Sequence, residues 1–496
     1  MRGCAVNAPH CRGACPGLTT PMPTGDGLLV RLQPTDSIPA GAFEKLCEAA
    51  RHHGNGTIEI SARGSLQVRG LSAQSAPAFA HAVGALGIPA ADGLSVITDP
   101  LADDPAVLID GSGLADTLRD AIAQASATDP GYLPLKGGGR RAEGAGWGSQ
   151  NSNVRGEWTP TRPPCFAMAV DLPLSGGGMS ESAAPLLQTR LPSPQARGRC
   201  ALSDALAPKV CVVIDSGGGL HLDALAADLR LRAFGSRAAP RLHVSVGGDA
   251  AAAMPLGSIA PKQAPDVALR LLRVIASHGR NARAGDIVRI YGGEPFRTAA
   301  AGEIEPAPEL PRCAPAEVIG PHPLRDGCVA LGISLAFGHA HADVLAQLAR
   351  SARAHGVRSI RVAPGRALLL LSVAPENTAA LSGEAAQLGF VVHPGDPRRR
   401  IVACPGKPAC AAGLIPARAI AGELAQHLSP AGATVHVSGC AKGCAHPRAA
   451  ALTVVGSERG CGIIPHGSAR DVPDAYVGRA DIVTAIVAWE GEAAHV

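Results

Sequence analysis

Aromatic residues are scarce. Phe, Trp and Tyr together make up 3% of the 496-residue chain. The interior must therefore be built from Ala, Leu, Val and Ile, and there is no basic stripe interleaved with aromatics to mark a nucleic-acid surface. Charge is thin as well: Asp, Glu, Lys and Arg account for 17%, with a formal net charge of +4. Residues 135–207 carry eight Lys/Arg against five Asp/Glu, so the remainder stands near neutrality at +1. No nucleic-acid partner is expected. Long apolar runs are missing too. The richest, RALLLLSVA (366–374), is strand-sized and far short of the roughly 18 residues that a membrane span needs. The opening MRGCAVNAPHCRGAC lacks the apolar core of a signal peptide. A cytoplasmic protein with no membrane partner is the expectation. Apolar residues at 46% give a globular composition, and this length suggests about three domains.

Cysteine, by contrast, is plentiful, at 14 residues. In a reducing compartment that number points to a metal, a cluster or catalysis more than to a disulfide framework. Four of them fall into two short pairs: Cys404 and Cys410 in ACPGKPACAAG (403–413), then Cys440 and Cys444 in VSGCAKGCAHP (437–447). Four thiolates on two loops can bind zinc or an iron–sulfur cluster. The five-residue spacer between the first two is longer than a zinc knuckle uses. Loops of small residues favour a cluster, because backbone N–H groups can approach sulfide and thiolate. Zinc and four unrelated buried thiols stay open as alternatives. Cys4, His10, Cys11 and Cys15 could form a second metal clip, but read more simply as ordinary N-terminal residues. His339 and His341, in FGHAHADV, sit at an expected helix start and read as caps. GSGLAD (111–116) lacks the third glycine of a dinucleotide fingerprint, so direct NADH binding is not expected.

The chain also repeats itself. LCEAARHHGNGTIEISARGSLQVRGL (46–71) and LARSARAHGVRSIRVAPGRALLLLSV (348–373) share Leu46, Ala50, Arg51, His53, Gly54, Ile58 and Leu66 at a fixed offset of 302. Each copy reads as strand, helix, glycine turn and two further strands. A weaker echo links RLHVSVGGD (241–249) to TVHVSGCAKG (434–443), giving an order A, B, A′, B′ in which only B′ has the thiols. The expected boundaries are 1–95, 96–300, 315–390 and 397–496. A Gly/Ser/Pro/Arg-rich insertion at 135–207, read as a surface loop or a lid, interrupts the second. Around the thiols the pattern predicts a strand ending at Ala403, a helix near 411–428, and strands at 434–437 and 450–456.

Cys-x5-Cys followed by Cys-x3-Cys, closing the last of two such repeats, resembles the sirohaem sulfite/nitrite reductase superfamily. RGACPGLTTPMPTGDGLLVRL (12–32), IEISARGSLQVRGL (58–71), APGRALLLL (363–371) and GCAHP (443–447) look like its precorrin-3B synthase branch. The resemblance implies an α+β, duplicated reductase fold, with two ferredoxin-like half-domains and two cluster-type α/β domains. It implies a 4Fe–4S cluster on Cys404, Cys410, Cys440 and Cys444, with Cys444 also the bridge to any sirohaem or other second iron centre. It further implies precorrin-3A and O2 as substrates, and NADH as an indirect electron source acting through a separate reductase. The superfamily's Thr-Arg-Gln element falls on SARGS, giving Arg63. Its Lys-x-Lys element falls on PKVC, leaving Lys209 with Cys211 in place of the second lysine. Its Arg-Asn-Val element falls near GLSVITDP (93–100), which has no arginine. Two of four anion-binding cations are thus missing, which disfavours sulfite or nitrite reduction, the runner-up reading. A non-catalytic electron carrier is a third. His446, two past Cys444, is a further candidate as an iron ligand or substrate contact.

Overall fold

In the computed structural model, the alternating apolar runs build four five-stranded sheets among the described residues, which are 16–126, 201–429 and 432–493. The first module contains β1 (Met22–Thr24), β2 (Gly27–Leu32), β3 (Ile38–Pro39), α1 (Ala40–His53), β4 (Thr57–Ile60), β5 (Leu66–Leu71) and α2 (Ser75–Gly84). The second runs through β6 (Ser95–Thr98), α3 (Gly111–Gln124), α4 (Leu202–Ala205), β7 (Cys211–Asp215), β8 (Ala227–Ser236), β9 (Ala239–Gly248) and β10 (Met254–Ile259) to α5 (Ala264–Ser277), α6 (Ala284–Tyr291) and α7 (Glu294–Ala299). The third repeats the first with β11 (Gly320–Pro323), β12 (Val329–Ser334), β13 (His339–His341), α8 (Ala342–Ala354), β14 (Ser359–Ala363), β15 (Ala367–Val373) and α9 (Thr378–Gln387). The fourth holds β16 (Ile401–Ala403), α10 (Ala417–Leu424), β17 (Val435–Ser438), β18 (Leu452–Ser457), β19 (Gly460–Pro465), β20 (Ala475–Val477) and α11 (Ile482–Ala493).

The first and third modules exchange edge strands. The first sheet has the order β1-β2-β5-β4-β13, and the third β11-β12-β15-β14-β3. Each therefore takes its last strand from the other half of the chain. The repeated helices explain why. Phe43, Leu46, Cys47 and Ala50 form one apolar stripe on α1, and Leu345, Leu348, Ala349 and Ala352 form another on α8, at the spacing that puts residues on one helix face. The two helices pack together, and both stripes join a single core with Ile58, Leu66, Ile360 and Leu368. Neither half closes its sheet or its core alone.

The second and fourth sheets share a different plan. In each, three parallel strands (β6-β7-β8 or β16-β17-β18) continue into two antiparallel ones. The α+β duplication expected from sequence is what the structure shows. The His-Val-Ser echo is corrected, however. Its first copy lies in β9 and its second in β17, which occupy different places in their sheets. The counterpart of β17 is β7, so the loop 216–219 stands where the Cys440–Cys444 loop stands. The expected helix at 411–428 is also shorter: α10 begins at Ala417, because Gly406, Pro408, Gly413 and Pro416 keep the preceding segment in turns.

Most of the 135–207 insertion lies outside the described residues. Its last seven do not. Ala201 bridges Ser126, and Leu202 and Leu206 are buried, so the core-forming chain resumes at Ala201 and not at Pro208. The N-terminal Cys4, His10, Cys11 and Cys15 also lie outside the described residues. No helix among those described is long and apolar enough to cross a membrane.

Candidate functional site

β16 and β17 are adjacent and parallel, with Ala403 opposite Val437, so both cysteine loops leave the same sheet edge. Carboxyl ends of parallel strands are where α/β sheets place their sites. Cys404 follows β16 directly and is buried; its Sγ accepts the Gly439 N–H at 3.0 Å. Burial pushes the Cys404 thiol up, the Gly439 and Gly406 N–H groups pull it back, and the nearby Cys410 and Cys440 push it up again. Cys410 and Cys440 are half-buried, while Cys444 is exposed. The loops are laced together: Leu414 N–H donates to the Gly439 carbonyl at 2.7 Å, and Cys410 N–H to that of Gly406 at 2.8 Å. Glycine is required here. A Cβ on Gly406, whose φ is +64°, would fall 2.4 Å from Ala417 N, and one on Gly439 would fall 3.0 Å from the Gly406 Cα.

The first module braces this cradle. A Cβ on Gly25, in the β1–β2 turn, would sit 2.5 Å from Ala411 N. Buried Arg69 of β5 donates twice to Asp26, at 3.0 and 2.8 Å, and reaches the Ala409 carbonyl, which precedes Cys410, at 2.5 Å. Glu59 lies 3.6 Å from Arg69 and 2.5 Å from Arg418 at the start of α10. Beneath the second loop, His436 of β17 is fully buried, with no hydrogen-bond partner on either ring nitrogen among the described residues. Burial pushes it down to about 4, and His446 and Arg366 add to this.

Beside the cradle lies a cleft of about 720 Å³. Arg63, Lys209 and Cys444 all line it. Arg63 sits in the β4–β5 turn, whose Ala62 carbonyl accepts the Gly365 N–H of the β14–β15 turn at 3.1 Å. The two repeated hairpins thus meet tip to tip at the cleft. Arg63 itself donates to the Ala226 carbonyl at 3.3 Å. Cys211 is buried with Sγ 3.6 Å from that same carbonyl, so it presents nothing to the cleft. His446 is not among the lining residues; its ring lies against His436 at 5.5 Å, and Nε2 is 3.3 Å from the Ala449 carbonyl. His341 caps α8, accepting the Asp343 N–H, whereas His339 belongs to β13 rather than to a helix start. GSGLAD opens α3, where Asp110 accepts the Gly113 N–H.

Three cations in the cleft escaped the sequence reading. Arg31 comes from β2, Arg119 from α3 and Arg361 from β14. Arg119 donates to the Val96 carbonyl at 2.9 Å, and buried Arg361 pairs with Asp36 at 3.1 Å. Arg63 and Lys209, the two motif cations kept, are thus not alone: five cations line the cleft, against one carboxylate, Asp36. Nothing local marks a lone arginine in a strand or a helix as a binding residue. These were findable only from the fold.

The sequence profile of the nitrite/sulfite reductase ferredoxin-like half domain matches residues 20–86, which span β1 to α2. The structure resembles that of the Mycobacterium tuberculosis NirA protein, with a TM-score of 0.63 at 16% identity, covering 93% of this chain and 79% of that one. This likeness establishes the fold. A precorrin-3B synthase from Sinorhizobium sp is 34% identical over 472 residues, covering 94% of this chain and 85% of that protein. The chain belongs to the precorrin-3B synthase family. A sulfite reductase (ferredoxin) 2 from Mycolicibacterium paratuberculosis is more distant, 26% identical over 44% of each chain. The precorrin-3B synthase match, at 94% of this chain, runs through both halves of the duplication and so includes the cleft and the cysteine loops.

Proposed function

We propose that this protein is an iron–sulfur oxidoreductase that converts precorrin-3A, with O2, into its hydroxylated γ-lactone. The observation that carries the reading is the cleft: five cations and one carboxylate spread over about 720 Å³, with Cys444 in its wall. Membership of the precorrin-3B synthase family supports it. A small oxyanion needs its positive donors converged on one point. Donors from five separate elements suit a large ligand whose carboxylates are spread around its rim.

The cysteine cradle fits a 4Fe–4S cluster. Four thiols reach one sheet edge, N–H groups point at Cys404 Sγ, and glycines leave room where Cβ atoms would collide. Cys404, Cys410, Cys440 and Cys444 would hold it, and Cys444 alone among them also lines the cleft. Such a cluster supplies one-electron transfer when bound. The chain's own groups do the rest. Arg31, Arg63, Arg119, Lys209 and Arg361 bind and orient the substrate carboxylates, and the two hairpin tips wall the cleft. Inserting one oxygen atom from O2 takes two electrons and two protons to reduce the other to water. NADH would supply the electrons through a separate reductase.

The test uses anaerobically purified protein. With precorrin-3A, O2 and a ferredoxin-type reductase, the product should be heavier by the mass of one oxygen atom, and NADH alone should not support it. Iron and sulfide should each be about four per chain, and Cys404→Ser should lose both. Rapid sulfite reduction with no tetrapyrrole turnover would overturn the assignment.

A further inference from the structure

Three side chains of metal-ligating type meet away from the cleft, where the connection between β7 and β8 touches the segment joining the second module to the third. We propose that His221, Asp223 and Cys313 form a zinc site that staples this segment to the second sheet. One nitrogen, one carboxylate oxygen and one sulfur from these residues lie within 4.8 Å of one another. None of the three lines the cleft.

The orientation of His221 is the first support. Its Nε2 lies 2.9 Å from the Ala314 carbonyl. A carbonyl only accepts, so in the neutral ring Nε2 carries the proton and Nδ1 keeps its lone pair. Nδ1 lies 3.7 Å from Asp223 Oδ2. Nδ1 takes only a long hydrogen bond, 3.4 Å, from the Asp223 N–H, which a bound metal would replace. A histidine that donates one ring N–H to a backbone carbonyl while its other nitrogen lies toward a carboxylate has the arrangement found around metal-bound imidazole.

Asp223 supplies the second, independent support. Its Oδ1 is buried with no hydrogen-bond partner among the described residues, and the side chain is only 12% exposed. Oδ2 is the oxygen that lies toward His221 and Arg232. A buried carboxylate oxygen without a donor is costly, and a cation held by both oxygens of Asp223 would remove the deficit. Arg232 gives the third. It lies 3.0 Å from Cys313 Sγ and 3.4 Å from Asp223 Oδ2, so it holds these two donors side by side. One thiolate, one imidazole and one carboxylate form a borderline-soft set that suits zinc better than calcium or magnesium. Cys313 is exposed, so the ion can enter, and water can fill the fourth position. Bonds of about 2.0–2.3 Å would draw the three donors slightly closer than they stand.

The experiment is metal analysis of the full-length, cluster-loaded protein, dialysed against zinc and then desalted, with X-ray absorption at the zinc edge. The expected result is about one zinc per chain with a single sulfur neighbour. Cys313→Ala and Asp223→Ala should each lose that zinc and keep their iron. Four sulfur neighbours would mean that zinc had entered the cysteine cradle instead, and would overturn the proposal. So would no retained zinc in the wild type, or zinc retained undiminished by both variants. The zinc-edge measurement on wild type decides the question even where a variant folds poorly.

Discussion

Arg361 shows how much one side chain can carry in this cleft. It is 9% exposed, sits on a strand of the third module, and faces residues of the first and second. Burial lowers its pKa, and Asp36 and Asp99 offset this. A charge-assisted hydrogen bond is worth about 1.5–3 kcal/mol, and about 1.4 kcal/mol is tenfold. Arg361→Ala and Arg63→Ala should therefore each raise KM for the tetrapyrrole roughly tenfold to a hundredfold. Iron content, measured alongside, should not change. His339 gives a prediction of another kind. Burial pushes it from 6.5 down to about 4, with Arg418 adding to the depression, and Nδ1 has no partner among the described residues. As pH falls below 6.5 the unfolded chain takes up this proton while the folded protein does not. Stability is thus lost from pH 6.5 down to about 4. At pH 5 the loss is about 2 kcal/mol. His436, pushed to a similar value, acts in the same direction. His339→Leu should flatten the fall in Tm between pH 7 and pH 5 by about half, and an unchanged slope would refute the account.

Elements of the fold differ in how openly the sequence announced them. The two core helices were legible because seven identities at one offset fall on and around their apolar faces. The cysteine loops were legible from spacing and small residues. The exchanged strands were not: β3 and β13 span two and three residues, too short for any periodicity. The His-Val-Ser echo misled because three residues cannot fix a place in a sheet. Within the site, Arg63 and Lys209 could be reached through motifs, whereas Arg31, Arg119 and Arg361 had none. The insertion's end was misjudged by seven residues, since α4 is a single turn whose importance lies in what it buries. That error has a measurable consequence. Replacing residues 127–200 by a short Gly/Ser linker keeps the Ser126–Ala201 bridge, and should leave Tm within a few degrees. Extending the deletion to residue 207 removes Leu202 and Leu206 from the core and should cost several kcal/mol, seen as a large drop in Tm.

At the scale of the whole molecule, the strand exchange makes the two halves interdependent. A fragment ending at residue 305 lacks β13 and the α8 face, so it should be protease-sensitive alone. Mixed with residues 306–496 during refolding, it should recover resistance. An independently folded N-terminal fragment would contradict the shared core.

The same exchange imposes a delay during synthesis. β4 leaves the ribosome about 280 residues before the strand that completes its sheet. At roughly 5–20 residues per second, that interval is about 15–55 s. Throughout it, the outer edge of β4 has no neighbour and the part of α1 that packs on α8 has nothing to cover it. Open edges and bare apolar faces are what chaperones bind and what aggregates recruit. Slowing translation between residues 100 and 330 should therefore lower the soluble yield and increase chaperone capture of the nascent chain. Slowing it after residue 390, once α8 and β13 are out, should do neither.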